Sequence, residues 1–255
     1  MKPDFRAKTV LAVIALISTA IACHALTGPE EAAGAGGTFA GLPHARSLAA
    51  VSLAVRPETE GPAAEPSCCG PISTAGHRLE AVLDGMDVES LWLAHRHVNW
   101  ETGQPDKGDD YAGPGRSSHC SAFAAAVAKK LGIYMLRPPD HGQILLANAQ
   151  AEWFHTQPGR QAGWRAVGGP QQAQTLANEG NLVVIVYESP DPHTPGHVAI
   201  VRPAVRPQRL LDENGPSIIQ AGQKNYVRTS AKVGFEAHPR AWPDGVRYYA
   251  HGVVF

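Results

Sequence analysis

The hydrophobic period of this chain changes near residue 180, and that change constrains the fold more than any other feature. Before it, apolar residues recur at helical spacing. Leu79, Val82, Leu83 and Met86 form one stripe, Leu91 and Trp92 mark a short following segment, and Cys120, Phe123, Ala124, Val127 and Leu131 form a second stripe. After it come β-branched runs, one unbroken over residues 182–187 and one over 197–202 in which His197, Ala199 and Val201 alternate with Val198 and Ile200. Helices are also expected over 143–154, with Asp140 as cap, and over 171–178. Residues 208–211 and 217–221 read as strands around a hairpin turn at Asp212-Glu213-Asn214-Gly215, and 246–255 as the last strand. Helices first and an antiparallel sheet afterwards predict an α+β fold.

The first 25 residues read differently. Lys2, Arg6 and Lys8 precede an uncharged apolar run over residues 10–22, and small residues surround Cys23 and Ala25, the pattern of a secretory signal peptide. Cleavage after Ala25 would release a soluble protein. Alternatively, Ala20-Ile21-Ala22-Cys23 resembles a bacterial lipobox, in which Cys23 becomes the lipidated first residue and attaches the protein to a membrane. Either route predicts an exported protein of the periplasm or cell envelope. Residues 26–75, dominated by Ala, Gly, Pro, Ser and Thr, read as a flexible linker, leaving 76–255 as one folded domain. A net charge of −1 and the lack of a long Lys/Arg run give no electrostatic footprint for nucleic acid.

Of the four cysteines, Cys23 is removed or acylated, and a bridge between the adjacent Cys68 and Cys69 is expected to be strained. Cys120 is then the one cysteine inside the predicted fold. It follows a Gly-, Pro- and Asp-rich loop over 102–118 and opens a helical run that ends near Lys129, Lys130 and Gly132, with Ser117 or Ser118 as N-cap. Unpaired N–H groups and the helix dipole at such a start favour negative charge, so the thiolate is expected to be stabilised below the free-cysteine pKa of about 8.5. The same N–H groups, that of Cys120 included, can face the oxyanion of a tetrahedral intermediate.

A cysteine nucleophile needs a base within hydrogen-bond reach. His197 is the candidate, because Pro195-Gly196 reads as a turn that sets it at the first position of a strand. A third polar group should orient the imidazole, and Gln220 lies on the strand expected beside that of His197, with Asn225 and Asp212 as alternatives.

Ser118-His119-Cys120-Ser121-Ala122-Phe123 at a helix start, followed by Gly196-His197-Val198-Ala199-Ile200-Val201 on a strand, resembles the NlpC-type endopeptidases and the related CHAP amidases. The resemblance covers residues 110–222. It implies a papain-like fold with the cysteine helix before the histidine strand, and hydrolysis of amide bonds in peptidoglycan. Many members carry Asp-Cys-Ser-Gly where this chain has His119 and Ala122 around Cys120-Ser121. Tyr111 matches the upstream tyrosine that often lines such sites.

Two other functions fit the same residues. A transglutaminase-like acyl transferase would use Asp212 as third residue, and a non-catalytic envelope-binding module would keep Cys120 for packing. Trp100, leading into the loop before Cys120, is a candidate substrate contact. The histidines are scattered, and Pro195-Gly196 rules out a helical His193/His197 ligand pair, so neither metal nor cofactor is expected.

Overall fold

The computed structural model describes residues 66–255. The expected signal segment, Cys23 and residues 26–65 of the expected linker lie outside the described residues.

Helices α1 (Thr74–Asp84), α2 (Cys120–Lys130), α3 (Leu146–Phe154), α4 (Gln157–Gln161) and α5 (Pro170–Asn178) occupy the first half, with strand β1 (Ser67–Cys68) before them and β2 (Arg165–Val167) among them. Strands β3 (Leu182–Tyr187), β4 (His197–Val201), β5 (Arg206–Pro207), β6 (Ser217–Gln220), β7 (Tyr226–Ser230) and β8 (Val246–His251) follow, with α6 (Gln208–Asn214) and α7 (Ala231–Gly234) between them. The main sheet has six strands in the order β2-β8-β3-β4-β6-β7, every neighbouring pair antiparallel. The α+β class read from the sequence is the observed one.

Both faces of the sheet are covered. Val184, Val186, Val198, Ile200 and Ile219 pack with α1, α2 and α3 in one core, which includes Leu79, Phe123 and Phe154. Val183, Ile185, Ala199, Val201 and Ile218 pack with α5 and α7 in the other, which includes Ala173, Ala177 and Phe235. The strict alternation along β3 and β4 produces this division, since successive side chains leave opposite faces. Every residue of both strands is buried. Arg202, just past β4, is buried too, and is held by Glu80 at 3.1 Å and Asp84 at 2.6 Å on α1.

Helix α2 differs from the one-sided stripe read in the sequence, because all residues from Cys120 to Ala128 are buried. Alanine on the second face explains this. On the stripe itself Trp92 meets Phe123 edge-on at 5.3 Å. No serine caps this helix; the N-cap is His119, which makes no side-chain capping bond, and its ring donates to the Arg96 carbonyl at 2.8 Å.

The segment expected as strand 208–211 is helical instead. Local pairs decide it: Gln208 donates to Asp212 at 2.7 Å and Arg209 pairs with Glu213 at 3.1 Å, both at the four-residue helical spacing. The expected hairpin turn at Asp212-Glu213-Asn214-Gly215 is the end of that helix, with Gly215 at φ 75°. Helix α3 starts three residues later than expected, after Leu145 in the left-handed region at φ 55°, and Asp140 accepts from the Tyr134 hydroxyl rather than capping it. The short β2, β7, α4 and α7 carry too few periodic residues to be seen in the sequence.

Cys68 and Cys69 are joined by a disulfide between adjacent residues. Residues 66–75 also belong to the fold rather than to a linker: β1 pairs with β5, and Asn178 donates to the carbonyls of Cys69 and Gly70. Among the described residues no helix is long and apolar enough to cross a membrane.

Candidate active site

Three of the residues singled out in the sequence converge where α2 begins against the start of β4. Cys120 opens α2, which packs on β4. Its sulfur lies against the backbone N–H groups of Val198, Ser121 and Cys120 itself, with the Ser121 hydroxyl beside it. A helix start without a side-chain cap leaves such amides free to face an anion. Val198 immediately follows His197, so the thiol and the histidine approach the same turn of β4 from opposite sides of the sheet.

His197 is 4% exposed and points with Ala199 toward α7. Its Nε2 lies 2.9 Å from Gln220 Oε1. An amide oxygen only accepts, so Nε2 carries the proton and Nδ1 holds the lone pair that a base needs. The amide's own orientation is fixed by its nitrogen, which donates to the Lys224 carbonyl at 3.2 Å. Of the three candidates for third residue, Gln220 is the one that meets the imidazole. Asn225 instead donates to the carbonyls of Val88 and Leu91 and accepts from Gly222, tying a loop together, and Asp212 sits on α6 paired to Gln208.

The electrostatics depart from the sequence reading. Burial pushes the Cys120 thiol up, outweighing the amides and the Ser121 hydroxyl that pull it down. Burial likewise holds His197 at about 4, with the Gln220 bond acting weakly the other way. The expectation of a stabilised thiolate is therefore reversed: thiol and imidazole are both neutral at rest, because a cysteine 5% exposed loses more hydration than the helix start returns.

Cys120 and His197 open into adjacent clefts. A cleft of about 270 Å³ contains Cys120 and Ser121, and one of about 600 Å³ contains His197, Gln220, Tyr226, Lys224 and His238. Ser117, Ser118, Pro195 and Gly196 line both and form the ridge between them. Gln223 secures one side of that ridge by donating to the Ser117 carbonyl at 3.0 Å. Among the described residues no hydrogen bond joins Cys120 to His197.

The two expected substrate contacts lie elsewhere. Tyr111 packs edge-on against His97 at 5.2 Å and donates to the Pro114 carbonyl, and it lines neither cleft. Trp100 packs on the core, beneath the Lys129 ammonium, and its carbonyl accepts from Trp92. The site also includes Phe235 and His238, which touch the His197 ring and which the sequence reading missed. They follow a helix of only four residues, too short to leave a periodic signal. No group of three or more metal-ligating side chains occurs among the described residues.

Comparison of the chain with protein-family models gives no match, and comparison with curated proteins gives none either.

Proposed function

We propose that the protein is an exported cysteine hydrolase of amide or peptide bonds, acting on peptides such as those of peptidoglycan. Cys120 is the nucleophile, His197 the base and Gln220 the residue that orients it. The observation that carries this reading is the buried Gln220–His197 bond, which presents an unprotonated Nδ1 one residue away from the amide that the Cys120 sulfur touches.

In this mechanism a substrate carbonyl enters over the ridge of Ser117, Ser118, Pro195 and Gly196, at the end of β4 around which thiol and imidazole must meet. His197 Nδ1 takes the thiol proton as the sulfur attacks, and the amides of Cys120 and Ser121 face the oxyanion. The imidazolium then protonates the leaving amine, and water attacks the thioester through the same base. The neutral resting pair makes proton transfer part of the attack, unlike a preformed thiolate.

The order of cysteine helix and histidine strand agrees with the NlpC-type and CHAP enzymes that the sequence resembles. A non-catalytic module is the second reading, favoured by the burial of Cys120 and its separation from His197. The acyl-transferase reading is less favoured, since its third residue, Asp212, sits on α6 and accepts from Gln208. The deciding experiment incubates the purified protein and Cys120→Ala with peptidoglycan fragments. Hydrolysis releases an amine and a carboxylic acid without an added acceptor, and Cys120→Ala abolishes it.

A further inference from the structure

We propose that Phe235 and His238 form a clamp that holds the His197 imidazole in its Gln220-bonded orientation, so that His238 is a positioning residue for the reaction proposed above. The clamp is built by one turn of chain. The N–H of Phe235 donates to the Ala231 carbonyl at 3.0 Å and that of His238 to the Phe235 carbonyl at 2.9 Å. These bonds place both side chains, three residues apart, on the sheet side of the turn. Phe235 is anchored at 1% exposure in the core beside Ala231 and Ala241.

The two rings grip His197 from different directions. Phe235 meets it edge-on, with centroids 4.7 Å apart and planes at 78°. His238 lies along its face, at 5.4 Å and 23°. With Nε2 committed to Gln220, the lone pair is on Nδ1. Rotation of the imidazole would break the stack, and water cannot solvate the covered face. His238 is itself backed by Tyr187 of β3, at 5.4 Å. The other groups around it are His197 on β4, Gln220 on β6, and the Lys224–Glu236 pair, 3.6 Å apart, that lines the same cleft.

The consequence is a titration that reports the clamp. Burial holds His197 at about 4, so a base that must be neutral stays competent far into acid. Removing the covering ring admits water to the imidazolium and moves its pKa up toward the ordinary value, which carries the acid limb of kcat/KM upward with it. Burial and the His197 charge hold His238 at about 4 as well, so above that pH it covers the ring as a neutral group.

The test compares wild type with His238→Ala and His238→Phe. NMR titration of the His197 ring, which needs no substrate, is expected to shift up by about one pH unit or more in His238→Ala. His238→Phe, which keeps an aromatic face, is expected to stay near wild type. With peptidoglycan fragments, kcat of His238→Ala should fall about 10-fold with KM nearly constant as the ring loses its orientation, and His238→Phe should recover most of it. If His238→Ala does not fold, His238→Gln, which removes the aromatic face while keeping a planar polar group, gives the same comparison. An unmoved His197 titration in the ring-deleting variant, or equal losses in the Ala and Phe variants, overturns the clamp. Turnover that survives Cys120→Ala overturns the hydrolase reading instead, and the NMR result still decides the clamp.

Discussion

His197 Nε2 stands 2.9 Å from Gln220 Oε1 across neighbouring strands, and this bond fixes which nitrogen of the imidazole can act as a base. Two substitutions separate orientation from charge. Gln220→Ala removes the acceptor, so kcat is expected to fall about 10- to 100-fold, less than on loss of the nucleophile. Loss of the Gln220 bond in itself lowers the His197 pKa, so any upward move of the acid limb is expected to be smaller than in Gln220→Glu. Gln220→Glu places a carboxylate beside the ring and favours imidazolium. Its acid limb is expected to rise from about 4 toward neutrality, as read by kcat/KM against pH. Equal profiles in both variants would contradict the assigned tautomer.

Gly234 is required by the same bond. A β-carbon there would lie 2.6 Å from Gln220 Oε1 and would also collide with the Ile218 side chain. Gly234→Ala is expected to displace the Gln220 amide and lower kcat roughly as Gln220→Ala does, because real β-carbons do not sit so close. NMR of the His197 ring gives the check: a retained Nε2–H hydrogen bond in Gly234→Ala would show that the site adapts.

The sequence reading reached Cys120, His197 and Gln220 because each sits at an element that its own neighbours specify: an alanine-rich helix after a loop, a strand after Pro195-Gly196, and the apolar run Ile218-Ile219. It failed where tertiary burial decides. The Cys120 pKa follows from hydration lost to β4, which no local pattern reports. Trp100 is a substrate candidate for its place before the cysteine loop and Tyr111 for its match to the tyrosine of the resembled family, yet Trp100 packs on the core and Tyr111 binds its own loop and His97. Phe235 and His238 come to His197 through a turn with no period of its own. The α6 segment reads as strand because Asp212-Glu213-Asn214-Gly215 looks like a hairpin turn, whereas the four-residue ion and amide pairs stabilise a helix.

The α1–β4 junction gives a prediction for stability. Arg202 is 3% exposed and joins Glu80 and Asp84, while Glu80 also binds Arg228 at 2.8 Å. Arg202→Met is expected to cost about 2–3 kcal/mol in denaturant unfolding, less than a fully buried pair because Glu80 and Asp84 still touch water. For Glu80, burial raises the pKa, but the Arg228 hydrogen bond and the charges of Arg202 and Arg228 outweigh it, and the net shift is downward from 4.5. A depressed carboxylate contributes stability that is complete above 4.5 and is lost as pH falls through its folded value. Glu80→Gln should therefore flatten the loss of stability below that pH.

The neutral thiol at rest predicts a distinctive reactivity. Burial raises the Cys120 pKa, so alkylation of the folded protein by iodoacetamide should be slow below neutrality and climb only in the alkaline range. Peptide mapping identifies the modified residue and separates it from Cys68 and Cys69. A reactive plateau in mild acid would reveal a thiolate–imidazolium pair and contradict the neutral resting state.

The central claim is that Cys120 attacks an amide carbonyl with His197 as its base. Its most direct measurement is intact-protein mass spectrometry of the enzyme quenched in acid during turnover of peptidoglycan fragments, with the fragments analysed from the same samples. A thioester adduct mapped to Cys120, accompanied by a released amine and absent in Cys120→Ala, is the expected result. His197→Ala should slow its formation by about 100-fold or more. Fragments left intact by the wild type, or cleaved equally by Cys120→Ala, would contradict the claim and leave Cys120 as a packing residue at the start of α2.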